Sequence, residues 1–360
     1  NSNEYGCFWK VLVFMLDIFL NSVIPFVIIL TILVFVHELG HYIAAIKNNV
    51  KVEVFSIGFG KELFGFTDNS GTRWKFSLLP LGGYVKMHGD ADEASTKQSK
   101  DNIDPKKSFH NKSISQRSII LFAGPAANFI FSIILLVFIN CFYGFTSTKP
   151  IISEVEKNMP AELSGLKVGD TILEVNQKKI SDFSQLREII SSNKTIKLTY
   201  SRNDKIEIIS IKTVNGKIGI KGTVETSKLS FLNSCITSIE QFYNFIKMTL
   251  VGIYEMISGQ RGAEDLGGPI RIAELSGDFW SKGIHSTLWF MMIISLNLGL
   301  INLFPIPMLD GGHLLLNFIE FVKGSPLNKK SLELLHMVGL VLLLSLMVFA
   351  TYNDVLRIMK

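Results

Sequence analysis

Long apolar stretches alternate with polar segments along the chain. Four of the stretches approach the roughly 20 residues that a helix needs to cross about 30 Å of hydrocarbon. These four run over about residues 23–45, 119–142, 287–309 and 334–351. Residues 8–20 are also apolar, but Asp17 and Asn21 interrupt them, so we expect an interfacial lead-in there and no cleaved signal peptide. The pattern predicts a polytopic α-helical membrane protein with about four transmembrane helices.

Two of the polar segments carry the shorter period of β structure. Residues 50–86 are rich in Gly and alternate apolar with polar positions, which predicts a membrane-associated sheet. Farther along, residues 151–155 are strand-like and 183–191 form an amphipathic helical pattern, with further alternation after them. Between them, residues 165–176 read G-L-K-V-G-D-T-I-L-E-V-N, a run that resembles a PDZ domain. We therefore expect one small, partly open barrel of the PDZ type over residues 144–228.

These patterns divide the chain into six expected segments. They are residues 1–48 (N-terminal flank and first transmembrane helix), 49–113 (β-rich loop), 114–143 (second transmembrane helix), 144–228 (PDZ domain), 229–286 (amphipathic helical linker) and 287–360 (third and fourth transmembrane helices).

Basic residues near the ends of the apolar stretches predict the orientation. Lysines and arginines are concentrated in the segment between the first two stretches and in the short loop between the last two. Since basic loops stay in the cytoplasm, both of these segments should face it. The region over residues 144–286 should then be extracytoplasmic, because long domains translocate regardless of their charge.

Composition narrows the class of protein further. The chain has 360 residues, of which 48% are apolar and 19% charged, and this mixture suits membrane helices joined to a soluble domain. The net charge is only +5, with lysines scattered through the loops, so we expect no nucleic-acid partner. The three cysteines are widely spaced and form no C-x-x-C pair, which indicates neither a disulfide framework nor a thiolate metal site.

The first apolar stretch ends in the motif His37-Glu38-Leu39-Gly40-His41. Residues four apart share a face of a helix, so both imidazoles can reach one ion while Glu38 lies beside it. Ionisable side chains after an apolar run are costly in lipid unless they have a partner. One Zn²⁺ ion would serve as that partner, because zinc binds imidazole nitrogens and makes a bound water reactive.

A third protein ligand should come from elsewhere in the membrane. The third stretch ends in N-L-F-P-I-P-M-L-D-G-G over residues 302–312, where two prolines and a Gly pair forbid a regular helix. Asp310 is the acid of this segment and lies on the same predicted side as the histidines, so it is the candidate third ligand. A surface aspartate that caps the next segment is the alternative.

The remaining histidines are weaker candidates. His313 follows Asp310 by three residues, but three ligands already complete an open catalytic site, so we expect it to stay outside. The others lie in polar loops or at span ends, where solvation explains them: His88, His110, His285 and His336.

The two motifs together resemble the site-2 protease family of intramembrane metalloproteases, and more closely its bacterial regulator-of-sigma-E protease group. Other runs look like segments of that group, namely residues 55–60, 79–87, 123–128 and 351–354. One departure is that several members carry tandem PDZ domains, whereas this chain has room for one.

The resemblance implies roles for individual residues. His37, His41 and Asp310 would bind zinc, and Glu38 would be the catalytic acid and base. Asn302 would contact the substrate backbone or the developing oxyanion, although an Asn in a broken helix can also simply satisfy freed carbonyls. Candidate substrate contacts in the β segment are Gly82, Gly83 and Tyr84, since a sheet edge can pair with an unwound substrate.

The expected function is hydrolysis of peptide bonds in the transmembrane segment of single-span substrates, as part of regulated intramembrane proteolysis. By resemblance, the substrate is an anti-sigma factor or a remnant signal peptide, and the site lies toward the cytoplasmic side of a bacterial inner membrane with the PDZ domain in the periplasm. The lipid bilayer is the other partner. The alternatives are a non-proteolytic PDZ-bearing membrane scaffold, a transporter, for which we find no internal repeat, and a membrane-anchored protease of soluble substrates.

Overall fold

The structure, a computed structural model, describes residues 16–17, 19–89, 104–180, 183–203, 205–260, 262, 267–326 and 328–359. Most of the expected lead-in over residues 8–20 lies outside these ranges. The chain divides into two compact units. The helical unit contains the residues up to Phe138 and from Cys235 onward, and the sheet unit contains Ile139–Ser234.

A five-residue π-helical segment, Phe19–Val23, precedes the first α-helix. The α-helices are α1 (Ile24–Lys47), α2 (Ile114–Phe142), α3 (Pro160–Leu163), α4 (Phe183–Ser192), α5 (Phe231–Ile257), α6 (Pro269–Ser281), α7 (Ile284–Asn302), α8 (Asp310–Lys323) and α9 (Lys329–Met359). The strands are β1 (Val52–Thr67), β2 (Arg73–Met87), β3 (Phe145–Val155), β4 (Thr171–Val175), β5 (Lys178–Lys179), β6 (Thr195–Arg202), β7 (Lys205–Lys212) and β8 (Ile220–Ser227).

Within the described residues, four helical segments are long and apolar enough to cross a membrane. They are Phe19–Lys47, Ile114–Phe142, Ile284–Asn302 and Lys330–Met359. This confirms the four predicted apolar spans, although the third ends seven residues earlier than the apolar stretch does, at Asn302 rather than 309. Much of α9 presents large apolar side chains outward, such as Val348, which is 66% exposed. Such a surface is unfavourable in water and suits hydrocarbon.

Close helix packing in the helical unit depends on glycine. Gly40 of α1 lies against the backbone of Ala123 in α2, and any side chain at position 40 would collide with it. Gly299 of α7 lies against the ring of Phe129 in α2, where an added Cβ would come within 2.8 Å of a ring carbon. Small residues let apolar helices approach closely enough for packing and hydrogen bonds to hold them in lipid. The three helices enclose a buried apolar cluster: Ile29, Leu33, Leu135, Leu136, Phe290, Met291 and Met292.

The predicted β segment between the first two spans is present as two long, bent strands. The first part of β1, residues 52–57, pairs on one side with 83–87 and on the other with 73–76 of β2. Residues 73–76 pair in turn with 64–67, so the two strands make four antiparallel rows. Gly58, at the bend of β1, has a φ of +89° that favours glycine. Residues 83–87 therefore form an outer row of this sheet.

One helix of the 229–286 segment, α6, and the last helix, α9, are connected by one buried carboxylate. Asp354 of α9 is 2% exposed. It accepts hydrogen bonds from the backbone N–H groups of Gly268 at 2.9 Å and Arg271 at 3.0 Å, at the start of α6. A carboxylate at a helix N-terminus satisfies donors that the helix leaves unpaired. Asp354 thus fastens α9 to α6.

The expectation for His88 is wrong. It is 8% exposed and lies directly after β2, where its Nδ1 donates to Oε1 of Glu53 at 2.7 Å. Its Nε2 accepts a hydrogen bond from the backbone N–H of Asp104 at 3.1 Å. A histidine near a strand end can thus be a buried link between the sheet and the following loop, which sequence position alone does not indicate.

The sheet unit contains an antiparallel sheet in the order β7-β6-β4-β3-β8, with β5 paired to β4. Helices α3 and α4 contribute to one apolar core with the strands. The G-L-K-V-G-D run builds the turn into β4. Gly165 and Gly169 have φ values of +85° and +94°, and Leu166 is buried at 3% exposure. The run therefore combines a glycine turn, a core anchor and a buried acid.

That acid, Asp170, is fixed by three donors. It accepts hydrogen bonds from Lys167 N at 2.8 Å and from Arg202 Nε and Nη2 at 2.7 and 2.6 Å. Burial raises the pKa of the Asp170 carboxyl, but the bonds from Arg202 and Lys167 outweigh burial and hold that pKa below its usual range.

Replacing Asp170 by Asn should loosen the sheet unit in a pH-dependent way. A carboxyl whose pKa is lowered by folding stabilises the fold above its unfolded pKa of about 3.9, and this contribution is lost as the pH falls. At pH 7 we expect the amides of β4 and β6 to exchange roughly tenfold faster in the variant than in the wild type. The difference should shrink below about pH 4. Hydrogen exchange of the full chain in detergent, corrected for intrinsic rates, measures this; equal exchange at pH 7 contradicts it.

Candidate metal centre

The two histidines of the H-E-x-x-H motif lie on one face of α1, as their spacing requires. His37 and His41 are 8% and 7% exposed. Their Nε2 atoms are 3.2 Å apart, and the rings meet edge to face with centroids 4.8 Å apart. Two buried imidazoles that present nitrogens to one point can share a cation.

Asp310 approaches these rings from a break between two helices. Helix α7 ends at Asn302 and α8 begins at Asp310, and the prolines at 305 and 307 keep the intervening backbone out of a helix. Met308, in this break, has a φ of +87°, an uncommon conformation for a residue with a side chain and one that often marks functional sites. The carboxylate lies with Oδ2 at 3.2 Å from His37 Nε2 and Oδ1 at 3.4 Å from His41 Nε2.

Helix α8 is held in this position by α2. Arg117 of α2 forms an ion pair with Glu320 of α8 at 2.8 Å, with both side chains largely buried. One turn earlier on α8, the amide of Asn317 donates to the hydroxyl of Ser118 at 3.2 Å. Largely buried, directed polar contacts are stronger than exposed ones, so they fix the distance between α8 and α2. Asp310 is therefore carried on a helix with a defined location.

The three side chains fit a zinc ion. They are the one group of three or more such ligands found among the described residues, with ligand atoms within 4.8 Å of one another. Tetrahedral zinc with bonds of about 2.0–2.1 Å requires ligand atoms separated by about 3.3 Å. The two imidazole nitrogens are 3.2 Å apart, close to this value, and each lies near one of the two Asp310 oxygens, with Oδ2 at 3.2 Å from His37 and Oδ1 at 3.4 Å from His41. Two imidazoles and one carboxylate also form a ligand set known from catalytic zinc sites.

Helix α2 contacts both imidazole rings on their Nδ1 side, away from the Nε2 atoms that face Asp310. His41 Nδ1 lies 2.9 Å from the carbonyl oxygen of Ile120, and a side chain at Gly124 would collide with the His41 imidazole. His37 Nδ1 lies 3.2 Å from the amide of Asn128. These contacts were not predicted from the sequence. The signal that was available is an Asn near the middle of an apolar span, since polar residues there usually have a partner.

Glu38 lies between the histidines and the sheet. It is 9% exposed. A Cβ at Gly83 would come within 3.0 Å of Glu38 Cγ and 2.8 Å of Val34 Cγ1, so β2 packs directly on α1 at this point. Only a glycine permits this approach. The outer row of the sheet is thereby placed beside the acid of the motif.

The remaining candidates divide between the ion site and the sheet. The amide nitrogen of Asn302, the last residue of α7, lies 3.4 Å from His37 Nε2. The ring of Tyr84 stacks on Phe59 at 6.1 Å between centroids. Gly82 lies against the same Phe59 ring, which an added side chain at position 82 would collide with. The structure therefore brings Asn302 to the predicted metal ligands and places Gly82, Gly83 and Tyr84 together on β2. His313 lies outside the ligand group, and its ring contacts His336 with centroids 5.4 Å apart.

Comparison with known proteins decides the family. The sequence profile of peptidase family M50 matches residues 25–346, which include both motifs. The chain belongs to peptidase family M50. This family is membrane-embedded, in agreement with the four apolar helices, and the chain is accordingly a metalloprotease with zinc as its cofactor.

Similar proteins extend over nearly the same length. A Rickettsia conorii protein is 39% identical over 93% of this chain and 98% of its own. A Campylobacter jejuni protein is 37% identical over 92% of both chains, and a Rhizobium meliloti protein is 34% identical over 95% of this chain and 98% of its own. All three carry the name "Putative zinc metalloprotease".

Among solved structures, the PDZ domain of an SdrC-like protein from Listeria monocytogenes is similar to part of the chain. The match is 29% identical and covers 20% of this chain and 85% of that domain, with a TM-score of 0.19.

Proposed function

We propose that this M50 protein is an intramembrane endopeptidase that hydrolyses peptide bonds in the transmembrane segment of single-span substrates. The observation that carries the proposal is the convergence of His37, His41 and Asp310 at the end of an apolar helix. A protease acting on soluble substrates has no reason to place its ligands in an apolar span, where each ionisable group costs about 2.5–3.5 kcal/mol near the bilayer centre.

Each residue has a role in this proposal. His37, His41 and Asp310 hold the zinc, which when bound would polarise the scissile carbonyl and lower the pKa of its water toward about 7. Glu38 accepts the proton of the attacking water and later delivers it to the leaving amine. Asn302, whose amide faces the same point as the imidazole nitrogens, donates a hydrogen bond to the carbonyl oxygen as negative charge develops on it.

The sheet beside Glu38 would bind the substrate as an added strand. Residues 83–87 have a described partner on one side only, residues 52–57. An extended peptide can pair with such an edge through backbone hydrogen bonds. A transmembrane helix bonds its own carbonyls and so resists hydrolysis, which means that the substrate must unwind before cleavage. Gly82, Gly83 and Tyr84 lie where an unwound segment would pass Glu38.

Location and partners follow the same proposal. The relatives are bacterial, which supports a bacterial inner membrane as the location. The basic loops favour an orientation with the zinc site toward the cytoplasm and the sheet unit in the periplasm. The sheet unit would act as a PDZ domain, with a groove between β3 and α4 that serves as a size filter or binds a newly exposed C-terminus. Anti-sigma factors already trimmed by another protease, or remnant signal peptides, are the substrates that fit. The scaffold alternative is not favoured, because the chain belongs to a family of metalloproteases.

Substrate unwinding gives a direct test. We compare two single-span reporters that differ only at the span centre, where one has a Leu pair and the other a Gly pair. The Gly reporter should be cleaved roughly 30-fold faster, since each Gly weakens a helix by about 1 kcal/mol. The measurement uses the full chain in nanodiscs, and a zinc chelator should stop both reactions until zinc is restored. A soluble peptide with the same scissile sequence is the control. Preferential cleavage of the soluble peptide, or of the stiffer span, contradicts the proposal.

A further inference from the structure

Asn128 is a fully buried polar side chain next to the metal ligands, and only one end of its amide, the nitrogen, has a hydrogen-bond partner among the described residues. It lies near the middle of α2 and is fully buried. Its Nδ2 lies 3.2 Å from Nδ1 of His37. Its Oδ1 is buried, and no described residue donates a hydrogen bond to it. An unpaired buried carbonyl costs about 1–3 kcal/mol, so this oxygen needs an explanation.

The chemistry of the histidines supplies one. Nε2 of His37 and Nε2 of His41 face each other and Asp310, so these are the nitrogens that bind the ion. A ligating nitrogen must offer its lone pair, which places the ring proton on Nδ1. In His41 this proton has an acceptor, the Ile120 carbonyl at 2.9 Å. In His37, however, the proton would point at the Nδ2 of Asn128, which is itself a donor.

We propose that Asn128 is the positioning residue for His37, with its Oδ1 turned toward Nδ1. The two ends of a carboxamide have the same shape, so a half-turn exchanges them without moving the side chain. The turned amide accepts the Nδ1 proton of His37, selects the tautomer that ligates through Nε2, and gives the buried oxygen its missing partner. This inference rests on the proposed role of His37 as a zinc ligand.

The backbone around Asn128 is arranged to hold such a group. The Asn128 carbonyl accepts hydrogen bonds from the hydroxyl of Ser132, one turn later on α2, at 2.8 Å and from that of Ser295 on α7 at 2.9 Å. Both serines are fully buried. The residue is therefore anchored between two helices while its side chain points at α1. A partner that orients a ligating imidazole typically contributes 10- to 100-fold to metal affinity.

The test measures zinc affinity of the full chain in detergent by competition with a chromophoric chelator. Asn128→Leu keeps the approximate volume but has no acceptor, and it should weaken zinc binding 10- to 100-fold. Asn128→Asp keeps an acceptor at the same place and should bind zinc within about threefold of the wild type, or more tightly. Ser276→Ala is the control, because Ser276 is a fully buried serine whose hydroxyl donates to the carbonyl of Ile272 one turn earlier on α6, outside the contacts of Asn128 and His37 described above. Its zinc affinity should stay unchanged.

Three results would overturn the inference. They are wild-type affinity in Asn128→Leu, a loss in Asn128→Asp as large as in Asn128→Leu, and an equal loss in Ser276→Ala, which would indicate general loosening of the helices. If Asn128→Leu does not fold, Asn128→Asp decides alone: a loss of more than about tenfold overturns the positioning role. Failure of the wild type to bind zinc would instead contradict the proposed function, so the two failures are distinguishable.

Discussion

A Glu38→Gln variant is expected to keep its zinc and to lose at least about 100-fold of its cleavage rate on a single-span reporter, because general acid–base catalysis contributes roughly 10²–10⁴-fold. Glu38 is buried beside β2 and outside the ligand group, so a neutral side chain of the same shape should leave the metal site intact. The amide cannot accept the proton of the attacking water. The measurement pairs elemental analysis with reporter cleavage on the same preparation.

Glu62→Gln provides the control for this variant. Glu62 is also an acid in the helical unit, but it pairs with Arg73 within the β1–β2 sheet rather than facing the zinc ligands. It should cleave the reporter at the wild-type rate. Near wild-type cleavage by Glu38→Gln would remove Glu38 as the base, and loss of zinc in that variant would make Glu38 a structural part of the metal site instead.

The zinc ligands could be predicted because each is an ionisable residue in or beside an apolar span, where such residues are rare. His37 and His41 are spaced for one helix face and lie in a segment otherwise suited to lipid, so their presence requires a partner. Asp310 follows two prolines that interrupt the third apolar stretch, and broken backbone at membrane depth must line a cavity or be buried in protein. These are local features with non-local consequences, and the structure brings all three side chains together.

The supporting contacts could not be predicted, because they depend on which faces of the helices meet. Gly124 is unremarkable in an apolar sequence, and its importance appears only when the His41 ring lies on it. Similarly, a carboxylate such as Asp354 near the C-terminus does not indicate that it caps α6 from 83 residues away. The four-row pairing of the β1–β2 sheet could not be predicted either. Alternation in the sequence shows that strands exist, but it does not show that one strand pairs with two parts of another.

An Asp310→Ala variant is expected to show the largest loss of zinc. Structural zinc sites bind with about 10–16 kcal/mol over four ligands, so one ligand accounts for roughly 100- to 1,000-fold in affinity or more. Removal of the carboxylate also leaves only two imidazole nitrogens, 3.2 Å apart, as ligands, so the ligand group loses its negative charge. Metal content after dialysis against a weak chelator measures the effect, and reporter cleavage should fall with it.

His313→Ala separates loss of a ligand from disturbance of α8. His313 lies one turn after Asp310 on the same helix, its ring contacts His336, and it is not one of the three grouped metal ligands. If Asp310 binds the ion directly, His313→Ala should retain its zinc while Asp310→Ala loses it, because the contacts of α8 to Arg117 and Ser118 persist in both variants. Full zinc occupancy in Asp310→Ala would take the carboxylate out of the site. Equal loss in both variants would mean that α8 itself, and not the carboxylate, determines metal binding.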